Sequence, residues 1–169
     1  MPANTAVQLM SKERITRSVI RMAYQIYETT HGSKNLQLIG IDDRGTQLAV
    51  LIKEQLEKIL GLEVPLQKIS VKKDRASSIE KSLDLMDKYV ILIDDVIFSG
   101  RTIYKAIQEL ANNGEPKQLM ITVLVDRGHR KYPLEAQFVG LESPTKLDEH
   151  VTVTFSDSGK PVEVILEKG

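Results

Sequence analysis

The chain has 169 residues, enough for one domain with its own core, and its 23 Lys and Arg balance its 23 Asp and Glu. That neutrality gives no electrostatic argument for a nucleic-acid or membrane-surface partner. With no cysteine, disulfides and thiolate metal sites are excluded, which fits a reducing, cytoplasmic setting; no run approaches the roughly 18 apolar residues of a membrane span.

In chain order, residues 7–10 read as a short edge strand. The first ten residues lack the basic-then-apolar layout of a signal peptide. Ser11 is placed to cap a helix over residues 11–31, with Ile15, Val19, Met22, Ala23, Ile26 and Tyr27 as its apolar stripe. Arg14, Arg17 and Arg21 lie on a second face, read as solvated rather than as an RNA surface. Residues 36–41 form a buried-strand pattern that leads into Asp42-Asp43-Arg44-Gly45 and then a helix ended by Gly61. Residues 64–71 read as a strand, 72–78 as a polar and mobile stretch, and 79–87 as a short helix with Ile79, Leu83 and Met86 inward.

Val90-Ile91-Leu92-Ile93 is an unbroken apolar run, as in a parallel strand buried on both faces. It stops at Asp94-Asp95, and Ser99-Gly100-Arg101-Thr102 then opens a helix ending near Gly114. Residues 118–125 and 136–140 read as further strands, the first leading into Asp126-Arg127-Gly128-His129-Arg130. Residues 150–155 and 161–166 alternate as a hairpin. The alternation of elements predicts an α/β fold: a parallel sheet flanked by helices with right-handed crossovers, in a single domain over residues 1–169, with the hairpin at an edge or as a cap.

Three predicted strand ends carry polar loops, and ligands of such sheets bind at that edge. Transfer from a diphosphorylated ribose needs a 5-phosphate cradle, carboxylates for the ribose hydroxyls, a site for pyrophosphate with Mg²⁺, and a surface for the base. The turn at Ser99–Thr102, the pair Asp94 and Asp95, the stretch Asp43-Arg44-Gly45, and Asp126, Arg127 and Phe138 are the respective candidates. Two aspartates after a strand also serve as simple turn caps, and a phospho-acceptor receiver domain carries an acidic pair too, but there the pair follows the first strand. The scattered His31, His129 and His150 suggest no zinc site.

The stretch Val90-Ile91-Leu92-Ile93-Asp94-Asp95-Val96-Ile97-Phe98-Ser99-Gly100-Arg101-Thr102 resembles the phosphoribosyl-pyrophosphate signature of type I phosphoribosyltransferases. Val123-Leu124-Val125-Asp126-Arg127-Gly128-His129-Arg130, Phe138-Val139-Gly140 and Gly40-Ile41-x-x-Arg44-Gly45 are similar to the PyrR type, a pyrimidine-operon attenuator that is also a uracil phosphoribosyltransferase. The resemblance implies a Rossmann-like core with a small hood from the N- and C-terminal parts, homodimers or higher oligomers, and conversion of uracil to UMP. It implies Asp94 and Asp95 on the ribose, Val96, Ile97, Phe98, Ser99, Gly100, Arg101 and Thr102 around the 5-phosphate, and Asp43, Arg44 and Gly45 at pyrophosphate. Phe138 would stack on the base, Val139 would offer it backbone, Asp126 or Arg127 would border it, and Mg²⁺ would be held mainly by substrate near Asp94 and Asp95. Phosphoribosyl pyrophosphate, a nucleobase and its nucleotide are thus the implied partners; a nucleotide-sensing regulator and a purine enzyme of the hypoxanthine type are the alternatives. The chain departs from the type at Asp42-Asp43, where Lys-Thr is usual, in a short 72–88 segment, and at Ile20, Tyr24, Glu135 and Leu141 on the RNA-binding face. Losing those basic groups removes phosphate-neutralising charge, so RNA is not expected as a partner.

Overall fold

The computed structural model describes residues 5–71, 78–79 and 82–169. The polar stretch expected over 72–78 lies almost wholly outside the described residues, as does part of the helix expected over 79–87. The elements are β1 (Val7–Met10), α1 (Lys12–Thr29), β2 (Leu36–Ile41), α2 (Asp42–Leu60), β3 (Leu66–Ser70), β4 (Ser78–Ile79), β5 (Tyr89–Ile97), α3 (Arg101–Leu110), β6 (Gln118–Asp126), β7 (Phe138–Glu142), β8 (Glu149–Phe155) and β9 (Pro161–Lys168). No helix among the described residues is long and apolar enough to cross a membrane.

Two sheets form. Six strands lie in the order β4-β3-β2-β5-β6-β7, parallel except for the antiparallel edge strand β4. The expected hairpin is present, and it takes β1 as a third strand in the order β1-β9-β8, separate from the main sheet. Both chain ends therefore build the hood.

The uninterrupted apolar strands are explained by packing on both faces. Leu38, Ile91, Ile93, Met120 and Leu124 bury against α1 and α2, through Ile15, Met22, Ile26, Leu48, Ile52 and Leu56. Their neighbours Ile39, Ile41, Val90, Leu92, Ile121 and Val123 bury against Ile103, Ala106 and Leu110 of α3. Burying one such side chain contributes about 1.5–3 kcal/mol, so both layers are held firmly. Val153 of β8 and Val164 of β9 join the α1 and α2 side, which seats the hood on the core.

The structure departs from the expectations in three places. The acidic pair does not end its strand: β5 runs on to Ile97, its backbone paired with β6 up to Ile97 and Asp126. Asp42 to Gly45 is not a loop but the first turn of α2. The 79–87 segment is not helical where it is described: β4 pairs with β3, Leu83 and Leu85 both bury, and Met86 is exposed. Tertiary hydrogen bonds from the Leu85 and Asp87 amides to Asn113 and Glu115 carbonyls replace helical ones there.

Candidate functional site

Neighbouring strands β2 and β5 feed helices on opposite faces of the sheet, because the chain crosses from β3 past β2 to reach β5. A crevice opens at such a switch point, beyond the carboxyl ends of the strands. Here that place holds the start of α2, the acidic pair of β5 and the turn into α3.

The start of α2 is pressed against the strands. A Cβ on Gly40 would lie 2.4 Å from Thr46 Cα, and one on Gly45 would lie 2.5 Å from the Ile93 carbonyl oxygen and 3.4 Å from Asp94 Oδ1. Only glycine allows this approach. Asp42 makes the sharp entry with φ of 50°. Thr46 Oγ1 donates to the Asp42 carbonyl at 2.6 Å, and Asp42 Oδ1 accepts from the Val71 amide at 2.9 Å.

Asp94 and Asp95 are each 9% exposed. The Asp95 amide donates to Asp94 Oδ1 and the Val96 amide to Asp95 Oδ1, both at 2.9 Å. Burial, and then the neighbouring Asp95 carboxylate, push the Asp94 carboxyl well above its usual range, with Asp42 adding a smaller push in the same direction. The charged form of Asp94 is thus disfavoured until donors or positive charge are brought beside it. Arg44 lies over the pair: its Nη1 is 3.5 Å from Asp95 Oδ2, donates to the Val153 carbonyl of the hood at 2.8 Å, and its guanidinium stands 5.4 Å from the centre of the Phe155 ring.

Two helix N-termini face this region, and their electrostatics differ. The first turn of α3 has no acidic residue; its cap is Gly100 at φ of 84°, which contributes no side-chain cap. Residues 96–103 enclose a cavity of about 200 Å³ there. Free amides and the helix dipole make it suited to a dianionic phosphate. The α2 terminus carries Asp42 and Asp43 in its first turn. The Asp43 carboxylate bonds Lys68 Nζ at 2.5 Å, and this bond with the ammonium's charge holds its carboxyl below the usual range. A wider depression of about 450 Å³ at the far end of α2 is lined by Lys53, Glu57, Gly61, Leu62 and Glu63 and has no connection to the acidic pair.

The residues expected at a base sit differently. Phe138 is 4% exposed, packed in the core on the α1 side and paired with Thr122, upstream of the strand ends. It presents no platform to the crevice. The Val139 carbonyl accepts from Arg21 Nη2 at 3.0 Å. Arg127 is buried: Nε donates to Thr145 Oγ1 at 3.1 Å, Nη2 to the Glu149 carbonyl, and the guanidinium lies 4.4 Å from the Phe98 ring centre. Desolvation lowers its pKa. Arg127 therefore binds residues 145–149 to the turn after β5. Asp126 accepts from the Gly128 amide at 2.9 Å and from Arg130 Nη2 at 2.7 Å.

The sequence reading missed the contacts of Arg44 with Val153 and Phe155, since residues 109 or more positions apart give no local signal. It also missed Leu147, 75% exposed on the loop that Arg127 secures. The i, i+4 spacing of Asp126 and Arg130 was the one available hint of their pairing.

The phosphoribosyl transferase domain family matches this chain over residues 6–157. A curated relative, bifunctional protein PyrR of Ligilactobacillus salivarius, is 39% identical over 161 residues, covering 88% of this chain and 90% of that one. Bifunctional protein PyrR of a Geobacter species (strain M21) is 36% identical and covers 99% of this chain and 100% of its own. Among solved structures, the hypoxanthine phosphoribosyltransferase of Trypanosoma cruzi superposes with a TM-score of 0.79 over 95% of each chain at 16% identity. A hypoxanthine-guanine phosphoribosyltransferase from Bacillus anthracis gives 0.76 over 96% of this chain and 97% of that one at 22% identity. At such identities the structural likeness speaks for the fold.

Proposed function

Since the chain belongs to the phosphoribosyl transferase domain family, and within it to the PyrR type, we propose that it transfers the ribose 5-phosphate group of phosphoribosyl pyrophosphate to a nucleobase, with uracil as the first candidate and UMP as product. One observation carries this reading. A buried carboxylate pair and an open helix N-terminus with no acidic residue in its first turn share one strand end at the switch point of the sheet. A ribose phosphate has both donor hydroxyls and a dianion, and few other metabolites match both.

In this reading the backbone of the turn at residues 98–102 holds the 5-phosphate, the Val96 amide being taken by Asp95 Oδ1, and Asp94 and Asp95 accept from the ribose hydroxyls. As the bond to pyrophosphate loosens, charge on the ribosyl carbon grows positive, and the two carboxylates stabilise it where they already stand. Arg44 follows the leaving group and, through Val153 and Phe155, keeps the hood over it. Water is thereby kept from the cation. Mg²⁺ suits this donor set, because Asp94 and Asp95 place hard carboxylate oxygens side by side at the strand end. No group of three ligating side chains exists among the described residues, so the ion would sit on substrate oxygens with Asp94 and Asp95 beside it. Bound there, it neutralises charge on pyrophosphate.

A second reading has its own support. Asp42 and Asp43 already occupy the α2 terminus, where a leaving pyrophosphate would otherwise be drawn. A nucleotide-sensing protein of low turnover fits that arrangement. RNA is not proposed as a ligand: Arg130 is folded inward and Glu135 adds a negative charge nearby.

Mixing protein, phosphoribosyl pyrophosphate and Mg²⁺ with uracil, hypoxanthine or guanine and measuring pyrophosphate release tests the enzyme reading. Release with uracil above the purines is expected. No release with any base, alongside saturable UMP binding, would leave the sensor.

A further inference from the structure

Arg130 engages every edge of its guanidinium inside the protein. Nη2 donates to Asp126 Oδ2 at 2.7 Å, Nε to the Leu134 carbonyl at 2.9 Å, and Nη1 to the Phe98 carbonyl at 2.8 Å and the Gly128 carbonyl at 3.3 Å. Phe98 opens the turn between β5 and α3. The next carbonyl of that turn, Ser99, accepts from the Lys131 and Tyr132 amides at 3.0 and 3.1 Å. Leu134, Tyr132 and Arg130 lie 3.5, 3.6 and 3.7 Å from where a Cβ on Gly100 would stand. Tyr132 also stacks on Tyr104 of α3, with ring centres 4.7 Å apart. Residues 130–134 thus grip the turn on its carbonyl side.

This grip has a stereochemical effect on the opposite side. A trans peptide is planar, and its carbonyl and amide point in opposite directions. Fixing the Phe98 carbonyl fixes the Ser99 N–H, and fixing the Ser99 carbonyl fixes the Gly100 N–H. Both residues line the cavity formed by residues 96–103. Donors on one side therefore aim donors on the other.

We propose that Arg130 is a positioning residue for the phosphate-binding turn, with Asp126 as its anchor; this rests on the reading of that turn as the 5-phosphate site. Asp126 then acts on the phosphate end of the substrate rather than on the base. The ion pair is partly buried and local to the segment after β6, while the Arg130 bond to the Phe98 carbonyl crosses to the turn after β5 beyond the last rung of the β5–β6 ladder, so its loss frees the turn without unmaking the sheet.

The test compares two probes on the intact protein by calorimetry: ribose 5-phosphate, and pyrophosphate with Mg²⁺. Arg130→Met is expected to weaken ribose 5-phosphate by about tenfold or more, the effect of losing one well-formed charged hydrogen bond. Pyrophosphate, which meets Arg44 instead, is expected to stay within about twofold, and KM for phosphoribosyl pyrophosphate should rise more than kcat falls. Arg130→Lys should recover part of the loss, and Asp126→Asn, which keeps an acceptor for Gly128, should weaken ribose 5-phosphate in the same direction. If Arg130→Met fails to fold, those two variants carry the comparison. Equal weakening of both probes, or unchanged ribose 5-phosphate binding, would overturn the role of Arg130. Wild-type protein that does not bind ribose 5-phosphate at all would instead overturn the reading of the turn, and this proposal with it.

Discussion

Asp94→Asn is expected to make the protein more stable and inactive. Asp94 is 9% exposed beside an equally buried Asp95, and these two facts push its carboxyl well above the usual 3.8. A carboxyl raised in the folded state favours folding fully below its unfolded value and loses that advantage as pH rises toward the folded value. The wild-type protein therefore becomes less stable, relative to the variant, as pH climbs from about 4 toward neutrality. Asparagine keeps the oxygen that accepts from the Asp95 amide at 2.9 Å and removes the charge. Relieving a buried, poorly compensated polar group is worth roughly 1–3 kcal/mol. In a domain of this size that is a rise in Tm of roughly 3–10 °C. Thermal unfolding followed by circular dichroism between pH 4 and 8 measures it, with pyrophosphate release measured in parallel. A Tm difference independent of pH, or a less stable variant at pH 7, would refute the electrostatic account.

Other expectations come from contacts near the crevice. In Gly45→Ala, the new methyl would meet the Ile93 carbonyl at 2.5 Å, about 1 Å inside an ordinary contact. The clash, costing about 1–3 kcal/mol, should outweigh the gain of about 1 kcal/mol from better helix propensity. Tm should fall and turnover with it; a rise in Tm would mean that α2 does not lie as close as described. Arg44→Ala should change stability by less than about 1 kcal/mol, since the side chain is largely exposed. It should nevertheless weaken pyrophosphate binding about tenfold or more and speed hydrogen exchange in β8, and unaltered exchange would separate Arg44 from the hood. Thr122 has a fully buried hydroxyl with no partner. Thr122→Val is expected to stabilise by about 1 kcal/mol in urea unfolding, and destabilisation would point to a hydrogen-bond partner not yet assigned.

Much of the fold was legible because the strands bury both faces. Leu36–Ile41 and Val90–Ile93 are apolar at every position but Gln37 and Gly40, and no solvent-facing element has that pattern. Where local rules failed, distant atoms decided. Aspartate is a poor strand former, yet pairing with β6 carries β5 through Asp94 and Asp95. Asp42-Asp43-Arg44-Gly45 reads as a loop from its residue types, but glycines at 40 and 45 let a helix dock directly on the strand end. The acidic pair and the turn into α3 were visible as a run of adjacent residues. The direction of Arg127, Arg130 and Phe138 was not, because each is set by partners that the chain brings up only when folded: Thr145 and Glu149, Phe98 and Leu134, and the α1 core.

The hood joins the beginning of the chain to its end, with Val7 paired to Leu166 and Gln8 to Ile165. On a ribosome adding roughly 5–20 residues per second, β1 waits roughly 10–30 s for β9 to be made. All six strands of the main sheet precede residue 143, so the acidic pair and the turn into α3 can form first. Arg44 receives its hood acceptor at Val153 only later. A nascent chain stalled before residue 149 would thus hold an open crevice without its roof, and the hood that covers it is completed only when β9 follows β8.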